Sequence, residues 1–258
     1  MSDRGAAGPL WTAYEQVAMV IGLGSLGLLC LIWLPFALVL HRVLPRRIGK
    51  RIGRSTISLG FRIYLRILTT FCACHLDLKA LDVLRKEGPL IVAANHPSLL
   101  DAVLIVSRLP NAICVMKASL MDNPLLGAAA RLAKYVRNDG ALSMIAHSRD
   151  ALLDGAQLVM FPEGSRTLHF PLDAFTPSVG LIARRSGVPI QTVFLEFSTP
   201  YLGKRWPLFR RPRLPLHVRA RLGRRFEASL EHAALTQDLE NHFRQEAQPI
   251  WNPSPQTP

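Results

Sequence analysis

Acidic residues are scarce in this sequence: 18 Asp and Glu stand against 31 Lys and Arg, leaving a formal net charge of +13. That balance points to a polyanionic partner, either nucleic acid or anionic phospholipid headgroups. Cysteine is scarce as well. Four in 258 residues exclude a disulfide framework, and Cys30 lies in an apolar run without a nearby partner, so a reduced compartment is the simpler reading. Metal-ligand spacing is missing, because Cys72-Ala73-Cys74-His75 lacks a second pair and Cys114 stands alone, and no metal is expected. No G-x-S-x-G turn surrounds Ser98 or Ser165, so neither reads as a serine nucleophile. Disorder is excluded from the other side: 49% hydrophobic residues bury enough apolar surface to offset chain entropy.

What is present begins with a membrane-compatible segment. Residues 17–40 run for 24 positions without a charge, about 36 Å as a helix, which is enough to cross a bilayer core. A cleaved signal peptide fits poorly, because Asp3, Arg4 and Glu15 precede the run with no net positive charge and the run is too long. Arg42, Arg46, Arg47, Lys50, Arg51 and Arg54 follow directly, and the positive-inside rule then places everything downstream in the cytoplasm. The expected location is the cytoplasmic (inner) membrane with the domain that follows on its cytoplasmic face. Pro35 and the glycines of the run keep a re-entrant hairpin open as an alternative. Gly22 to Gly27 read G-L-G-S-L-G, formally a dinucleotide fingerprint, but no acidic residue follows about 20 positions on. A close-packing face of a membrane helix is the better account. Residues 57–71 carry Phe61, Tyr64, Leu65 and Leu68 at helical spacing with Arg62 and Arg66 between them, and are expected as an interfacial helix on the headgroups.

Beyond Cys72, short apolar runs alternate with longer amphipathic ones. Strands are expected near 75–81, 90–94, 112–116, 158–161, 190–196 and 216–221, and helices over 97–108, 124–135, 141–154, 178–186 and 229–245. In the last helix Leu230, Leu235, Leu239 and Phe243 form the inward stripe. The fold class that follows is α/β: a largely parallel mixed sheet with helices on both faces, preceded by the N-terminal membrane helix and the interfacial helix. The domain division is a tail over 1–16, a membrane-anchoring region over 17–71, the α/β domain over 72–248, which holds the chemistry-bearing segments described next, and a flexible tail over 249–258.

Two short segments carry the chemistry. In Asn95-His96-Pro97-Ser98-Leu99-Leu100-Asp101, a five-residue separation puts His96 and Asp101 about 140° apart on one helix, so they meet only if the chain bends between them. Pro97 suits the first helical position and leaves His96 on the turn outside it. An Asp bound to one ring nitrogen fixes the tautomer and leaves the other as a proton acceptor, which is base chemistry without a protein nucleophile. The plainer alternative is a surface His beside a helix-capping Asp. Phe161-Pro162-Glu163-Gly164-Ser165-Arg166-Thr167 follows an apolar strand, and its carboxylate, glycine, hydroxyl and arginine suit a phosphate and the hydroxyls of a polar headgroup. A solvent-exposed turn with a Glu–Arg pair is the alternative there.

Together these segments resemble the glycerolipid acyltransferase family typified by 1-acylglycerol-3-phosphate O-acyltransferases, whose paired motifs N-H-x-x-x-x-D and F-P-E-G-[ST]-R stand at Asn95 to Asp101 and Phe161 to Arg166. The likeness extends over roughly 90–196, with Lys117, Asn123-Pro124 and Gly127 resembling a second block and Gly180 with Gly187 to Ile190 a fourth. The resemblance implies transfer of a fatty acyl group to a lysolipid hydroxyl, with acyl-CoA or acyl carrier protein as co-substrate and no cofactor. His96 would be the general base and Asp101 its partner. Asn95, Lys117, Arg137, Glu163, Gly164, Ser165 and Arg166 would serve the acceptor, and Pro189 would mark an acyl-donor region. One departure limits the acceptor: lysophosphatidate-specific members often end the second block with an arginine after an acidic residue, whereas here Arg137 precedes Asp139 and Gly140 follows it. A lyso-ornithine lipid, a glycolipid or another amphiphile therefore stands as an alternative acceptor. The run Lys204, Arg205, Arg210, Arg211, Arg213, Arg219, Arg221, Arg224 and Arg225, with Trp206 and Phe209, is expected to rest on an anionic phospholipid membrane. No nucleic-acid module appears, so no nucleic acid is expected as a partner.

Overall fold

The computed structural model describes residues 8–207, 209–228 and 231–247. Two long helices open the chain, α1 (Pro9–Val43) and α2 (Arg46–Phe71). Then follow β1 (Cys74–Asp77), a 3₁₀ segment (Lys79–Lys86), β2 (Leu90–Ala94), α3 (Asp101–Arg108), β3 (Ala112–Lys117) and α4 (Ala118–Asp122). The remainder comprises α5 (Pro124–Ala133), β4 (Val136–Asn138), α6 (Ala141–Leu153), β5 (Gln157–Met160), α7 (Ser178–Ser186), β6 (Ile190–Phe197), β7 (Leu216–Phe226) and α8 (His232–Glu246).

The seven strands form one sheet in the order β1-β7-β6-β2-β5-β3-β4. Every neighbouring pair is parallel except β6 with β7, so the sheet is mixed and largely parallel with helices on both faces, as the alternation of runs implies. Strand β2 lies at its centre, and all five of its residues are buried. Period-two geometry splits them: Leu90, Val92 and Ala94 join a core with Tyr64 and Leu68 of α2 and Leu104 of α3. Ile91 and Ala93 face the opposite core with Ile145 of α6, Ile182 of α7 and Phe243 of α8. A run apolar on both faces is the mark of a covered parallel strand, and each such Leu, Ile or Val contributes roughly 1.5–3 kcal/mol.

Several element bounds shift from the sequence reading. Helix α1 starts at Pro9, so part of the expected N-terminal tail is helical, and Glu15 is buried where it accepts from the Leu214 amide and pairs with Arg211. The helix runs through Gly22, Gly24, Gly27 and Pro35, which removes the re-entrant hairpin. Gly22 fills the close-packing role, with Leu68 and Tyr201 against it, but Gly24 and Gly27 face open space. Among the described residues α1 alone is long and apolar enough to cross a membrane, with a mean hydropathy of 2.4 over its most apolar stretch.

Residues 57–71 are the second half of α2, and the expected interfacial stripe is reassigned. Tyr64, Leu65 and Leu68 are buried in the protein core, while Ile48, Ile52, Leu59 and Ile63 are exposed along the opposite side. Amphipathic spacing reveals that a face is covered, not whether protein or lipid covers it. Helix α2 shares the core of the sheet, so the division drawn between 71 and 72 runs through continuous packing. Arg54 is also drawn inward, donating to the Ala133 carbonyl and Asn111 Oδ1, and Lys50 pairs with Asp154.

Elsewhere, β1 stops at Asp77 and the 3₁₀ segment takes over. The helix expected from residue 97 starts at Asp101, because the preceding residues form the turn that brings His96 back. Strand β7 runs five residues past its expected end, pairing antiparallel with β6. Short β4 and α4 carry too few residues to show a period. Leu230 and the tail over 249–258 lie outside the described residues.

The basic run near the C-terminus is not a free cationic face. Arg219 and Arg221 pair with Glu196, Arg221 also with Glu246, and Arg225 with Glu87. Arg210 lies 4.6 Å from the Trp206 ring centroid and Arg224 lies 4.7 Å from that of Phe226. Acidic residues distant in sequence neutralise much of it, which local composition cannot reveal. Phe209 does remain exposed.

Candidate active site

The C-terminal edge of the parallel strands gathers the two chemical segments, since β2 leads into Asn95 and His96 and β5 into Phe161 and Glu163. Asn95 continues the β2–β6 ladder through its side chain: Nδ2 donates to the Leu195 carbonyl at 2.9 Å and Oδ1 accepts from the Leu195 amide at 2.7 Å. That clamp fixes where the chain leaves the sheet. At Asp101, Oδ2 accepts from His96 Nδ1 at 2.8 Å and from the Ser98 amide at 2.8 Å, so the bend inferred from five-residue spacing is a turn tied by the carboxylate itself. A carboxylate only accepts, so Nδ1 bears the proton and Nε2 is the basic nitrogen. Nε2 has no protein partner among the described residues.

The second segment grips the same turn from the other side. Glu163 Oε1 accepts from the His96 amide at 3.0 Å and from the Thr167 hydroxyl at 2.9 Å, while Oε2 accepts from the Asp173 amide at 2.9 Å. The Thr167 amide donates to the His96 carbonyl at 2.8 Å. The imidazole also stacks on Phe161, with ring centroids 3.9 Å apart and planes 12° from parallel. Gly164 makes the turn with φ +70°, and its amide donates to the Phe161 carbonyl; a side chain there would be strained.

Burial governs the electrostatics. It pushes the Asp101 carboxyl up, opposed by the His96 imidazole, the Ser98 amide and the Arg166 charge. Asp101 Oδ1 is buried without a hydrogen-bond partner among the described residues, so the carboxylate stands ready as counter-charge to the imidazolium that forms when Nε2 takes up a proton. Burial likewise raises Glu163, against the Asp173 amide, the Thr167 hydroxyl and the His96 amide.

Arg166 Nη1 donates to the Leu202 and Gly203 carbonyls, each at 3.0 Å, which pins the 201–203 segment over the site and leaves its other nitrogens without a protein partner among the described residues. Lys204 comes with that segment, its Nζ donating to Ser165 Oγ at 2.8 Å. The sequence reading assigned Lys204 to a membrane face; the structure sets it beside the second motif. Thr167 and Asp173 were missed as supports of His96. Thr167 adjoins the motif and was within reach, whereas nothing in sequence links Asp173 or Lys204 to it.

Other expected site residues lie apart. Lys117 ends β3, two strands from β2, about 10 Å at sheet spacing. Arg137, on β4 one strand further, is held by Asp122 and Asp139. The Pro189 carbonyl accepts from the Ile91 amide, so Pro189 sits at the opposite edge of the sheet.

A buried carboxylate on a histidine, with a cation alongside, is an arrangement that can take up a proton beside an anionic group. Residues 75–196 match the sequence model of the Acyltransferase family, and the likeness is to the glycerolipid acyltransferases. It is 33% identical over 146 residues to a lysophosphatidylcholine acyltransferase of Drosophila melanogaster, covering 53% of this chain and 26% of that protein. Identity is 29% over 158 residues to a 1-acyl-sn-glycerol-3-phosphate acyltransferase of Chlamydomonas reinhardtii, covering 55% and 48%. The chain thus spans between a quarter and a half of the length of these relatives. The crystal structure of the 1-acyl-sn-glycerophosphate (LPA) acyltransferase PlsC from Thermotoga maritima shares the fold, with a TM-score of 0.63 and 17% identity over 92% of this chain and 95% of that one.

Proposed function

We propose that this protein is a membrane-bound O-acyltransferase that moves a fatty acyl group from a thioester, acyl-CoA or acyl carrier protein, to the hydroxyl of a lysophospholipid, foremost 1-acylglycerol-3-phosphate. The observation that carries this reading is the buried Asp101 on Nδ1 of His96 with Nε2 left free. Nε2 takes the proton of the acceptor hydroxyl as that oxygen attacks the thioester carbonyl. The imidazolium, held by Asp101, then protonates the departing thiolate as the carbon–sulfur bond breaks. Glu163, Thr167 and Asn95 position His96 rather than touch substrate. Arg166 and Lys204 flank Ser165 and supply the charge for the acceptor phosphate. The apolar helix α1 seats the enzyme at the membrane where its lipid acceptor resides, with the catalytic body on the cytoplasmic side by the positive-inside argument.

A second reading keeps the chemistry and changes the acceptor. Arg137 is occupied by two carboxylates, and Gly140 follows Asp139 where lysophosphatidate-specific members often carry arginine, which favours an acceptor without a phosphate monoester. Thiol release by the detergent-solubilised protein, measured with lysophosphatidate, lyso-ornithine lipid and lysophosphatidylcholine, separates the two readings. Loss of a general base costs about 10² to 10⁴ in rate, so His96→Ala should abolish measurable transfer with every acceptor; near-normal turnover of that variant sinks the mechanism.

A further inference from the structure

At the other end of β2 lies a second polar concavity. It has a volume of about 290 Å³ and is lined by Ser58 and Arg62 of α2, Asp82, Arg85 and Lys86 of the 3₁₀ segment, and Ser107 and Arg108 at the end of α3. Lys86 precedes the start of β2 and His96 follows its end, so the five residues of the strand separate the concavity from the site by about 17 Å.

Four cations meet one carboxylate there. Asp82 is taken by Arg108, whose Nε donates to Oδ1 at 2.8 Å and whose Nη2 pairs with Oδ2. Arg62, Arg85 and Lys86 have no acidic partner among the described residues. The floor is already satisfied: Ser58 Oγ donates to the Ser107 carbonyl and Ser107 Oγ to the Leu104 carbonyl. Three cations without an acidic partner among the described residues line one hollow, whereas Arg219, Arg221 and Arg225 of β7 are ion-paired, and such cations suit an anionic group. The surround identifies the source of the anion. Leu59 and Ile63 flank Arg62 on α2, and Val83 lies two residues before Arg85, and all three are exposed, so exposed aliphatic side chains accompany the cations along the chain as they do where a protein seats itself at the headgroup level of a bilayer.

We propose that this concavity binds the phosphate of an anionic phospholipid headgroup, as a lipid site separate from the acyl-transfer site. The inference rests on the membrane-seated reading above but not on acyl transfer.

The test uses the full chain in neutral detergent, titrated with water-soluble dihexanoyl phosphatidylglycerol, dihexanoyl phosphatidylcholine and inorganic phosphate, with binding read by calorimetry. Phosphatidylglycerol should bind, and the double variant Arg62→Gln/Lys86→Gln should weaken it about tenfold or more, the scale of one or two lost charged hydrogen bonds. Arg85→Gln alone gives a milder second reading should the double variant fold poorly, and Arg149→Gln, on the far-side helix α6, should leave binding unchanged. Unaltered affinity in both pocket variants overturns the site, and phosphate binding as tightly as the lipid, or phosphatidylcholine matching phosphatidylglycerol, overturns its lipid-headgroup assignment. His96→Ala should bind phosphatidylglycerol normally. A failure of the acyl-transfer reading is seen in thiol release alone, and extraction of the chain from membranes by aqueous wash would break the membrane reading without disturbing the titration.

Discussion

The two ends of strand β2 carry polar groups of similar kind in opposite states of satisfaction. At the C-terminal end, Asp101 holds the His96 ring and the Ser98 amide, Glu163 holds the His96 amide and the Thr167 hydroxyl, and Asn95 holds Leu195, so that the imidazole is fixed with its other ring nitrogen unpaired among the described residues. At the N-terminal end, Arg62, Arg85 and Lys86 are left without an acidic partner among the described residues around a hollow. On the two readings proposed above, the difference separates a reactive group from a binding surface: proton transfer needs one atom held in place by partners that do not move, whereas recognition of a diffusing anion needs donors with nothing else to bind.

The sharpest way to break that comparison is to disturb the held end. Asp101→Asn keeps the shape but removes the charge that stabilises the imidazolium, and its amide can offer Nδ1 the wrong tautomer. Turnover should fall by about 10² or more with the fold retained by circular dichroism; a loss below tenfold would mean that His96 works without its partner.

Glu163→Gln should do less to chemistry and more to stability. Its carboxylate accepts three hydrogen bonds, so the variant should lose roughly 1–3 kcal/mol in denaturant unfolding and show reduced kcat with KM little changed. The pH dependence has a definite sign. Burial raises the folded carboxyl above its unfolded value, so the folded state holds the proton more tightly, and this group's contribution falls as pH climbs from the ordinary glutamate range, about 4.3, through the raised value. The stability difference between the parent and Glu163→Gln should therefore narrow with rising pH across that window, and a widening difference would contradict the assignment. Smallest of the three, Lys204→Gln should raise KM for a phosphate-bearing acceptor several-fold with kcat little changed, because the lysine is exposed and partly screened. No change in KM would return Lys204 to the surface role suggested by its place in a basic run.

Much of this site is local in the chain, and that part was legible. His96 and Asp101 stand five positions apart and the Glu163-to-Arg166 turn is four residues long, short enough that a proline, a glycine and an apolar strand ahead of them fix the geometry. The largely parallel sheet was legible for the same reason, because a strand buried on both faces must be apolar throughout. Long-range partnerships were not. Tyr64 and Leu68 have the spacing of a lipid-facing stripe and pack in the core; Arg219 and Arg221 look like a cationic patch and are neutralised by Glu196; Lys204 reaches Ser165 across 39 residues. Pattern reports that a face is apolar or charged, but the covering partner is set by packing.

The sequence by itself therefore determined the apolar N-terminal helix, the alternation that builds an α/β sheet, and the identity of the histidine, carboxylates and arginine of the site, since each follows from composition or spacing within a few residues. Only the tertiary structure decided that Glu163 and Asn95 brace His96, that most arginines of β7 are ion-paired, and that three cations have no acidic partner among the described residues at the start of β2. Those outcomes depend on which distant residues meet when the two faces of the sheet are covered, and close packing settles that for the whole chain at once.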